Sequence, residues 1–241
     1  MKALILNSGL GSRMGKITST HPKCMTLIDN NETIISRQLY LLKESGVKDI
    51  IITTGYLKEI LKEYCNNLKL DLNITYVNNP LYRDTNSIYS IYCAKDYLHD
   101  DIVMMHGDLV FTLNVLKKVI SNTNSVMTVS STIPLPLKDF KAIIDKQIKK
   151  ISINDFDNAL TAQPLYKIKK DDWEIWLKSI ETFCKNNQTN CYAENAFNEV
   201  SDKCMLYPLD IKDEICNEID NVEDLENVSK KIKQYKLGGR K

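Results

Sequence analysis

The chain begins with a short apolar segment that runs directly into a glycine-rich loop. This combination restricts the folds that the chain can adopt. Residues 2–7 (KALILN) predict a short buried strand, and the sequence SGLGSRMG follows at positions 8–15. Glycine lets the backbone adopt positive φ and approach a ligand closely. Successive backbone N–H groups of such a loop can face an anion. We therefore expect a phosphate-binding loop after the first strand, with the nearby cations Arg13 and Lys23 facing the same phosphates.

The spacing within this loop excludes two common nucleotide-binding motifs. A dinucleotide fingerprint needs glycine at its sixth position, and the sixth position counted from Gly9 is Met14. That fingerprint also places an acidic residue at the end of the second strand, where this chain has Thr54. A P-loop needs Gly-Lys followed by Ser or Thr, but the Gly-Lys pair at 15–16 is followed by Ile17. The loop therefore belongs to neither class.

Predicted strands and helices alternate along the first half of the chain. We expect strands at 49–54, 70–77 and 101–106, and helices from 32–33 to Gly46, at 56–66 and at 88–97. The second half predicts helices at 114–121, from 171, at 194–200 and at 222–235, and strands at 125–132, 141–144, 148–153, 161–168 and 204–209. This alternation favours parallel strands joined by crossover helices. The predicted fold class is α/β and Rossmann-like, with a mixed, mostly parallel central sheet flanked by helices.

Composition excludes several classes of partner. The formal net charge is +1, which implies no general attraction to nucleic acid or to an anionic membrane. No segment approaches the ~20 apolar residues of a membrane span, and the apolar run at 3–6 is too short for a signal peptide. The seven cysteines show no zinc-site spacing, so we expect reduced thiols and a cytoplasmic protein. The basic tail at 236–241 is expected to fray, and the oligomeric state is not readable.

Two polar segments follow predicted strands and could face a ligand crevice. The segment NNPLYRDTNS occupies 78–87, where Asn86 or Ser87 could also simply cap the next helix. Asp108 follows the strand at 101–106. An acid at this position suits Mg²⁺, which takes one or two carboxylates together with phosphate oxygens, although an Asx turn is the structural alternative. His106 is expected to be a packed or hydrogen-bonded residue.

The loop motif resembles the nucleotide-binding signature of the sugar-nucleotidyltransferase-like superfamily, whose members activate sugar phosphates and small phospho-alcohols. The shared features are G-x-G-S-R from Gly9 and the Pro-Lys pair at 22–23. The usual signature reads L-A-A-G-x-G-S-R, and an Asn-Ser pair at 7–8 replaces its two alanines, a departure at the base-recognition segment. The resemblance implies a nucleotidyltransferase fold in which the loop contacts the nucleotide through Asn7, Ser8, Gly9, Leu10, Gly11 and Ser12.

Three further segments extend this resemblance to CTP-dependent cytidylyltransferases. Residues 82–90 look like a region of bacterial phosphocholine cytidylyltransferases, which implies cytidine-nucleotide contacts from Asn79, Thr85, Asn86 and Ser87. Gly-Asp at 107–108 matches the position of the Mg²⁺-binding Asp in that family. The sequence EIDNVEDL at 218–225 resembles the family's second metal motif. The resemblance therefore implies Mg²⁺ as cofactor, with Asp108 and Asp220 as its ligands.

The reaction implied by the resemblance transfers CMP from CTP to a small phosphorylated acceptor and releases pyrophosphate. Arg13 and Lys23 would neutralise the charge that builds on the bridging and leaving oxygens. The whole of 1–241 is expected to form one nucleotidyltransferase domain. Within it, 1–110 would be the nucleotide-binding half and 111–241 the acceptor-binding half.

The acceptor half looks like the CTP:phosphoglutamine cytidylyltransferase of bacterial capsular phosphoramidate synthesis. The similar segments are 130–136, 162–166 and 191–199. L-Glutamine phosphate is therefore the preferred acceptor. Phosphocholine and 2-aminoethylphosphonate are the alternative acceptors. A nucleotide-binding module without catalytic turnover is the alternative function. The side chains expected to contact the acceptor are Lys138, Lys141, Tyr166, Tyr192 and Glu194.

Overall fold

The apolar segments predicted as strands form the centre of a single twisted sheet in the computed structural model, which describes residues 1–238. The elements in chain order are β1 Lys2–Asn7, β2 Leu27–Asp29, β3 Glu32–Thr33, α1 Ile34–Glu44, β4 Asp49–Thr54, α2 Lys58–Asn67, β5 Asn73–Asn78, α3 Ser87–Ala94, β6 Ile102–His106, β7 Leu109–Phe111, α4 Leu113–Ser121, β8 Val126–Ser130, β9 Lys141–Asp145, β10 Gln147–Ser152, β11 Ala159–Ile168, α5 Lys170–Lys185, α6 Ala193–Asn198, β12 Tyr207–Asp210, β13 Cys216–Glu218 and α7 Val222–Leu237. The predicted fraying of the tail falls in part on residues 239–241, which lie outside the described residues.

The sheet has the order β10-β9-β11-β6-β1-β4-β5, with β8 paired to β11 and β12. Strand β1 is parallel to both β4 and β6, and β4 is parallel to β5. Strand β11 is antiparallel to β6 and to β9. The α/β, Rossmann-like fold with a mixed central sheet flanked by helices is therefore confirmed. Since β11 pairs with β6, one sheet runs through both predicted halves, and their functional division stays a prediction.

Side chains along the central strands point alternately to the two faces of the sheet, and a hydrophobic core forms on each face. Leu4 packs in the core with α3, α5 and α6, whereas Ala3 and Ile5 pack in the core with α1 and α4. Successive strand residues point to opposite faces, so an apolar strand serves both cores. Trp173 and Trp176 of α5 are fully buried in the first core, as their helical spacing predicts. The resulting rigid layers fix the carboxyl ends of β1 and β6.

Local signals set the ends of two helices that matter for the site. The side chain of Asn221 accepts from the backbone N–H of Asp224, and the Asp224 carboxylate accepts from the N–H of Asn221, which forms a capping box at the start of α7. Asn86 caps α3 by accepting from the N–H of Ser87 at 2.7 Å. Asn86 is one of the two residues from which this cap was expected. The two caps hold Asp220 and Ser87 at helix starts.

Short strands are where the prediction and the structure differ. Strand β5 begins at Asn73 rather than at 70, and β12 spans 207–210 rather than 204–209. The pairing of β7 with β13, which sets Glu218 opposite Leu109, was not predicted. Three residues are too few to produce a readable period. Within residues 1–238, no helix combines the length and the apolar character needed to cross a membrane.

Candidate active site

A cavity of about 330 Å³ opens at the carboxyl ends of β1 and β6, beside the start of α3. This is the edge at which parallel α/β sheets bind their ligands. The cavity brings together most of the expected site residues, namely Asn7, Ser8, Gly9, Leu10, Gly11, Ser12, Arg13, Lys23, Asn79, Thr85, Asn86, Ser87, Asp108, Lys138, Tyr192 and Asp220. Segments far apart in the chain thus meet at one edge of the sheet.

Glycine is required at two points where backbone and side chains crowd together. Gly11 has a φ of 65°, and a Cβ atom there would lie 3.0 Å from Cβ of Lys23. A Cβ atom at Gly107 would lie 1.6 Å from Oδ1 of Asn7 and 2.8 Å from the backbone oxygen of Leu6, so both the Asn7 side chain and the backbone would have to move. Thr18 closes the loop by donating to the carbonyl of Gly11 at 2.9 Å. These contacts hold the loop against the tips of β1 and β6.

Lys23 lies between the two expected metal ligands. Its Nζ atom donates to Asp108 Oδ2 at 2.6 Å and to Asp220 Oδ1 at 2.7 Å. Arg13 reaches the same oxygen of Asp220 at 2.8 Å. Burial disfavours the charged form of Lys23, but the charges of Asp108 and Asp220 outweigh it, so its pKa lies above the ordinary value. Burial also opposes ionisation of Asp108, yet Lys23 and His106 hold the pKa of this carboxyl below its ordinary value.

His106 lines the cavity beside this cluster and hydrogen-bonds as expected. Its ring Nδ1–H donates to Glu218 Oε1 at 3.0 Å. Behind it, the hydroxyl of Tyr166 donates to Glu194 Oε1 at 2.8 Å. Burial would lower the pKa of His106, but the hydrogen bond to Glu218 and the charges of Glu218, Glu194 and Asp108 raise it to about 9. Two separate hydrogen-bonded pairs therefore lie here, His106–Glu218 on the cavity wall and Tyr166–Glu194 behind it.

The predicted nucleotide contacts on the second polar segment are held by the fold itself. The side-chain amide of Asn79 donates to Thr85 Oγ1 and to Ser90 Oγ, each at 3.0 Å. The hydroxyl of Ser87 accepts from the backbone N–H of Ala193 at 3.0 Å. In contrast, Asn7 Nδ2 and Ser8 Oγ are buried and find no hydrogen-bond partner within the described part of the chain. Those two groups are free to meet a ligand in the cavity.

Three of the expected acceptor contacts lie away from the cavity wall. Lys141 is fully buried, and its Nζ atom donates to the carbonyls of Pro136 and Asp139 at 2.7 and 3.2 Å. Tyr166 and Glu194 are 0% and 1% exposed and bond to each other. The structure therefore differs from the expectation for these side chains. Sequence could not show this, because the direction of a side chain near a strand end depends on partners elsewhere in the chain.

Several cavity residues were not singled out from the sequence. These residues are Tyr82, Asp139, Phe140, Ile153 and Glu218. Glu218 belongs to the EIDN segment and could have been found by its distance of two residues from Asp220, since residues two apart on a strand share a face. The loop before β9 carries Asp139 and Phe140 beside the expected Lys138 and has no periodic pattern, so no sequence signal pointed to these two residues.

Several named relatives are cytidylyltransferases. The chain is 33% identical to CTP:phosphoglutamine cytidylyltransferase of Campylobacter jejuni over 127 residues, which cover 50% of this chain and 49% of that protein. It is 38% identical to choline-phosphate cytidylyltransferase of Streptococcus pneumoniae over 111 residues, 46% of each chain. These alignments span about half the length of the relatives. The choline-phosphate cytidylyltransferase of Haemophilus influenzae is 28% identical over 96% of this chain and 97% of its own.

Solved structures share the fold over the whole length. The CTP:phosphocholine cytidylyltransferase of Streptococcus pneumoniae superposes with a TM-score of 0.81 at 22% identity, covering 96% of this chain and 98% of that one. The inositol-1-phosphate CTP transferase of T. maritima gives a TM-score of 0.77 at 20% identity, with 96% of each chain covered. The predicted nucleotidyltransferase fold is thereby confirmed.

A family model described as a domain of unknown function (DUF6564) matches residues 20–150. The matched range runs from the segment that carries Lys23 to the hairpin after the cavity loop, and it includes Asp108. Because the match covers more than half of the 241 residues, this chain belongs to the DUF6564 family.

Proposed function

We propose that this chain is a Mg²⁺-dependent cytidylyltransferase, which transfers CMP from CTP to a small phosphorylated acceptor and releases pyrophosphate. The observation that carries the proposal is the position of Lys23, whose ammonium group lies between Asp108 and Asp220 at the edge of the glycine-rich loop. Cations and carboxylates meet there in a cavity lined by loop residues. The named relatives support a cytidine nucleotide as donor.

The proposed chemistry is an in-line displacement at the α-phosphorus of CTP. An oxygen of the acceptor phosphate forms the new P–O bond, and the bond to the β-phosphate oxygen breaks with pyrophosphate leaving. The attacking oxygen is already anionic, so no general base is required. The protein must hold two anions together and stabilise the charge on the leaving oxygen. Lys23 and Arg13 would do this; the Arg13 side chain is 66% exposed and can reach into the cavity.

The residues present suit a Mg²⁺ ion. Asp108 and Asp220 direct one oxygen each at a shared cation, at present the ammonium of Lys23. Asp108 Oδ1 is buried without a hydrogen-bond partner in residues 1–238. Two carboxylates are the donor set that Mg²⁺ takes beside phosphate oxygens. When bound, the ion would neutralise phosphate charge, and Lys23 would then be free to turn toward the substrates.

The polar groups of the loop would bind the nucleotide. Asn7 Nδ2 and Ser8 Oγ are buried and lack partners among the described residues, and both residues line the cavity together with Asn86 and Ser87. Backbone N–H groups of residues 9–12 would receive phosphate oxygens. Base choice would then depend on hydrogen bonds from the Asn-Ser pair at 7–8, which replaces the usual alanines.

For the acceptor we propose L-glutamine phosphate, which would place the enzyme in capsular phosphoramidate synthesis. This acceptor carries an ammonium and a carboxylate. Lys138 and Asp139 both line the cavity and offer both charges. Tyr192 stands edge-on to Phe140, with ring centroids 4.9 Å apart, and the pair provides an apolar surface. Phosphocholine and 2-aminoethylphosphonate are the alternative acceptors, and related enzymes are named for both.

The test is pyrophosphate release with CTP and Mg²⁺ against a panel of acceptors. The panel contains L-glutamine phosphate, phosphocholine, 2-aminoethylphosphonate and a sugar 1-phosphate, each also tried with UTP and GTP. We expect turnover with CTP and phosphoglutamine. Turnover with phosphocholine alone would show that the proposed acceptor is wrong and that the proposed reaction is right. Binding of CTP without turnover of any acceptor in the panel would contradict the proposed enzymatic activity and favour a nucleotide-binding module.

A further inference from the structure

Three potential metal ligands converge on the wall of the cavity, on the His106 side of Asp108. One donor atom each from His106, Asp108 and Glu218 lies within 4.8 Å of the other two. His106 Nδ1 and Glu218 Oε1 are 3.0 Å apart. Ligands at adjacent octahedral positions with bonds of about 2.1 Å are about 3 Å apart. The pair already has the spacing of two neighbouring ligands.

The hydrogen bonds of the fold leave part of this cluster unused. Lys23 contacts Asp108 through Oδ2, whereas Asp108 Oδ1 is buried and has no partner anywhere in the described range 1–238. His106 Nε2 is also buried and unpartnered in that range. Buried polar atoms usually have a partner, since an unpaired one costs free energy. Asp108 Oδ1 is therefore available to a cation beside the His106–Glu218 pair.

A buried carboxylate lies near the second ring nitrogen of His106 without hydrogen-bonding to it. A histidine that binds a metal through one ring nitrogen usually donates its other N–H to a carboxylate. Glu194 Oε1 lies 3.9 Å from His106 Nε2. Glu194 is 1% exposed, and its Oε2 has no partner in the part of the chain that the structure describes. The hydroxyl of Tyr166 fixes this carboxylate by donating to Oε1 at 2.8 Å.

Charge favours a divalent cation at this point. As a metal ligand the imidazole must be neutral, and the carboxylates of Asp108 and Glu218 then carry two negative charges, of which that of Asp108 also faces the ammonium of Lys23. The other nearby carboxylate, Asp220, is already contacted by Lys23 and Arg13. A nitrogen ligand also changes the preferred metal, because imidazole suits first-row transition metals whereas Mg²⁺ prefers oxygen alone.

We propose that His106, Asp108 and Glu218 form a divalent-cation site with one nitrogen ligand, which takes Mn²⁺ or a similar first-row transition-metal ion in preference to Mg²⁺. With a metal on Nδ1, the other ring N–H would turn to Glu194, which lies 3.9 Å from Nε2 and would then act as the positioning residue. The site shares Asp108 with the Mg²⁺ site proposed above, but its existence does not depend on nucleotidyl transfer. Occupancy would require His106 Nδ1 to release its proton and to exchange its hydrogen bond with Glu218 for a bond to the metal.

The experiment measures Mn²⁺ binding to the full chain without nucleotide, by electron paramagnetic resonance, with electron spin echo modulation to detect nitrogen bound to the ion. The chain has three histidines, His21, His99 and His106. In the double variant His21→Gln, His99→Gln, only His106 can supply imidazole nitrogen. We expect the ¹⁴N modulation to persist there and to change when histidine is ¹⁵N-labelled.

Matched variants separate the proposed site from other Mn²⁺ binding. His106→Gln should remove the imidazole modulation and weaken Mn²⁺ binding by at least about tenfold, while His99→Gln, at an exposed position, should change neither. Mn²⁺ bound without histidine nitrogen would overturn the proposal, and so would no binding at millimolar Mn²⁺. If His106→Gln fails to fold, ¹⁵N labelling of histidine in the double variant still shows whether His106 binds the ion. A chain without nucleotidyl-transfer activity could still bind Mn²⁺ through a histidine nitrogen. The experiment therefore tests the metal site independently of the proposed function.

Discussion

The Nζ atom of Lys23 lies 2.6 Å from Oδ2 of Asp108, although 85 positions of the chain separate the two residues. Asp220, at 2.7 Å from the same Nζ, comes from a third region at the start of α7. The Lys23 side chain is 13% exposed, so this cation is held by the two carboxylates rather than by water. Removing one partner from such a group leaves a charge uncompensated. The glycine-rich loop, the end of β6 and the start of α7 therefore depend on each other electrostatically.

Loss of either carboxylate should stop the reaction without unfolding the chain. We expect Asp108→Asn and Asp220→Asn each to lower the rate of pyrophosphate release by at least about a hundredfold, on the scale of a lost transition-state electrostatic contact. The amide keeps the shape of the side chain and removes its charge. Asp202→Asn is the matched control, because Asp202 is 86% exposed and pairs with Lys149 on the surface. Full activity in either site variant would refute the metal-ligand assignment.

Lys23 should affect turnover more than nucleotide binding. A cation that acts on the leaving oxygen stabilises the transition state more than the ground state. We therefore expect Lys23→Ala to lower kcat by a larger factor than it raises KM for CTP, as steady-state kinetics would show. Lys149→Ala, which removes a surface lysine, should change neither constant. A raised KM with an unchanged kcat would instead show that Lys23 only binds the nucleotide.

Gly107→Ala should destabilise the fold, because the new Cβ atom would lie 1.6 Å from Oδ1 of Asn7. The Asn7 side chain would have to rotate, and because the Cβ atom would also lie 2.8 Å from the backbone oxygen of Leu6, the backbone would have to shift; overpacking of this kind costs about 1–3 kcal/mol. Urea unfolding measures the change in free energy. Gly9→Ala is the control, since a Cβ atom there meets nothing within 4 Å. Equal stability of the two variants would contradict the close approach of Asn7 to Gly107.

The carboxylate of Asp210 should make stability depend on pH in the acidic range. Burial would raise its pKa, but hydrogen bonds from Ser131 and from the N–H of Lys212 outweigh this and hold the pKa below its ordinary value. Stability from this group is therefore present above the unfolded pKa of about 3.9 and is lost as pH falls through the lower folded value. The free-energy difference between wild type and Asp210→Asn should shrink as pH falls below about 4.

The control for this pH series is Asp145→Asn, at the exposed end of β9. Urea unfolding of the three proteins from pH 7 to pH 3 gives the two differences. We expect the difference for Asp145→Asn to be small at every pH. A difference for Asp210→Asn that stayed constant down to pH 3 would show that its hydrogen bonds do not favour the ionised form.

Much of this protein could be predicted from the sequence alone. The strands at 2–7 and 49–54 are continuous apolar runs, so burial on both faces specifies them wherever they lie. Asn86 and Asn221 specify helix starts by hydrogen bonds within three residues. The glycine-rich loop and the acid after β6 mark one edge of the sheet, because parallel strands end together. The predictions that hold depend on local or periodic information.

The features that depend on contacts between distant segments of the chain were decided by the tertiary structure. The pairing of β7 with β13 has three residues on each side and no periodic signal, yet it carries Glu218 to the cavity wall. Lys141 has the composition of a substrate contact, but nearby backbone carbonyls take its ammonium into the interior. Tyr166 and Glu194 satisfy each other behind His106. A side chain bonds to whichever partner the fold brings within reach, and sequence by itself does not reveal that partner.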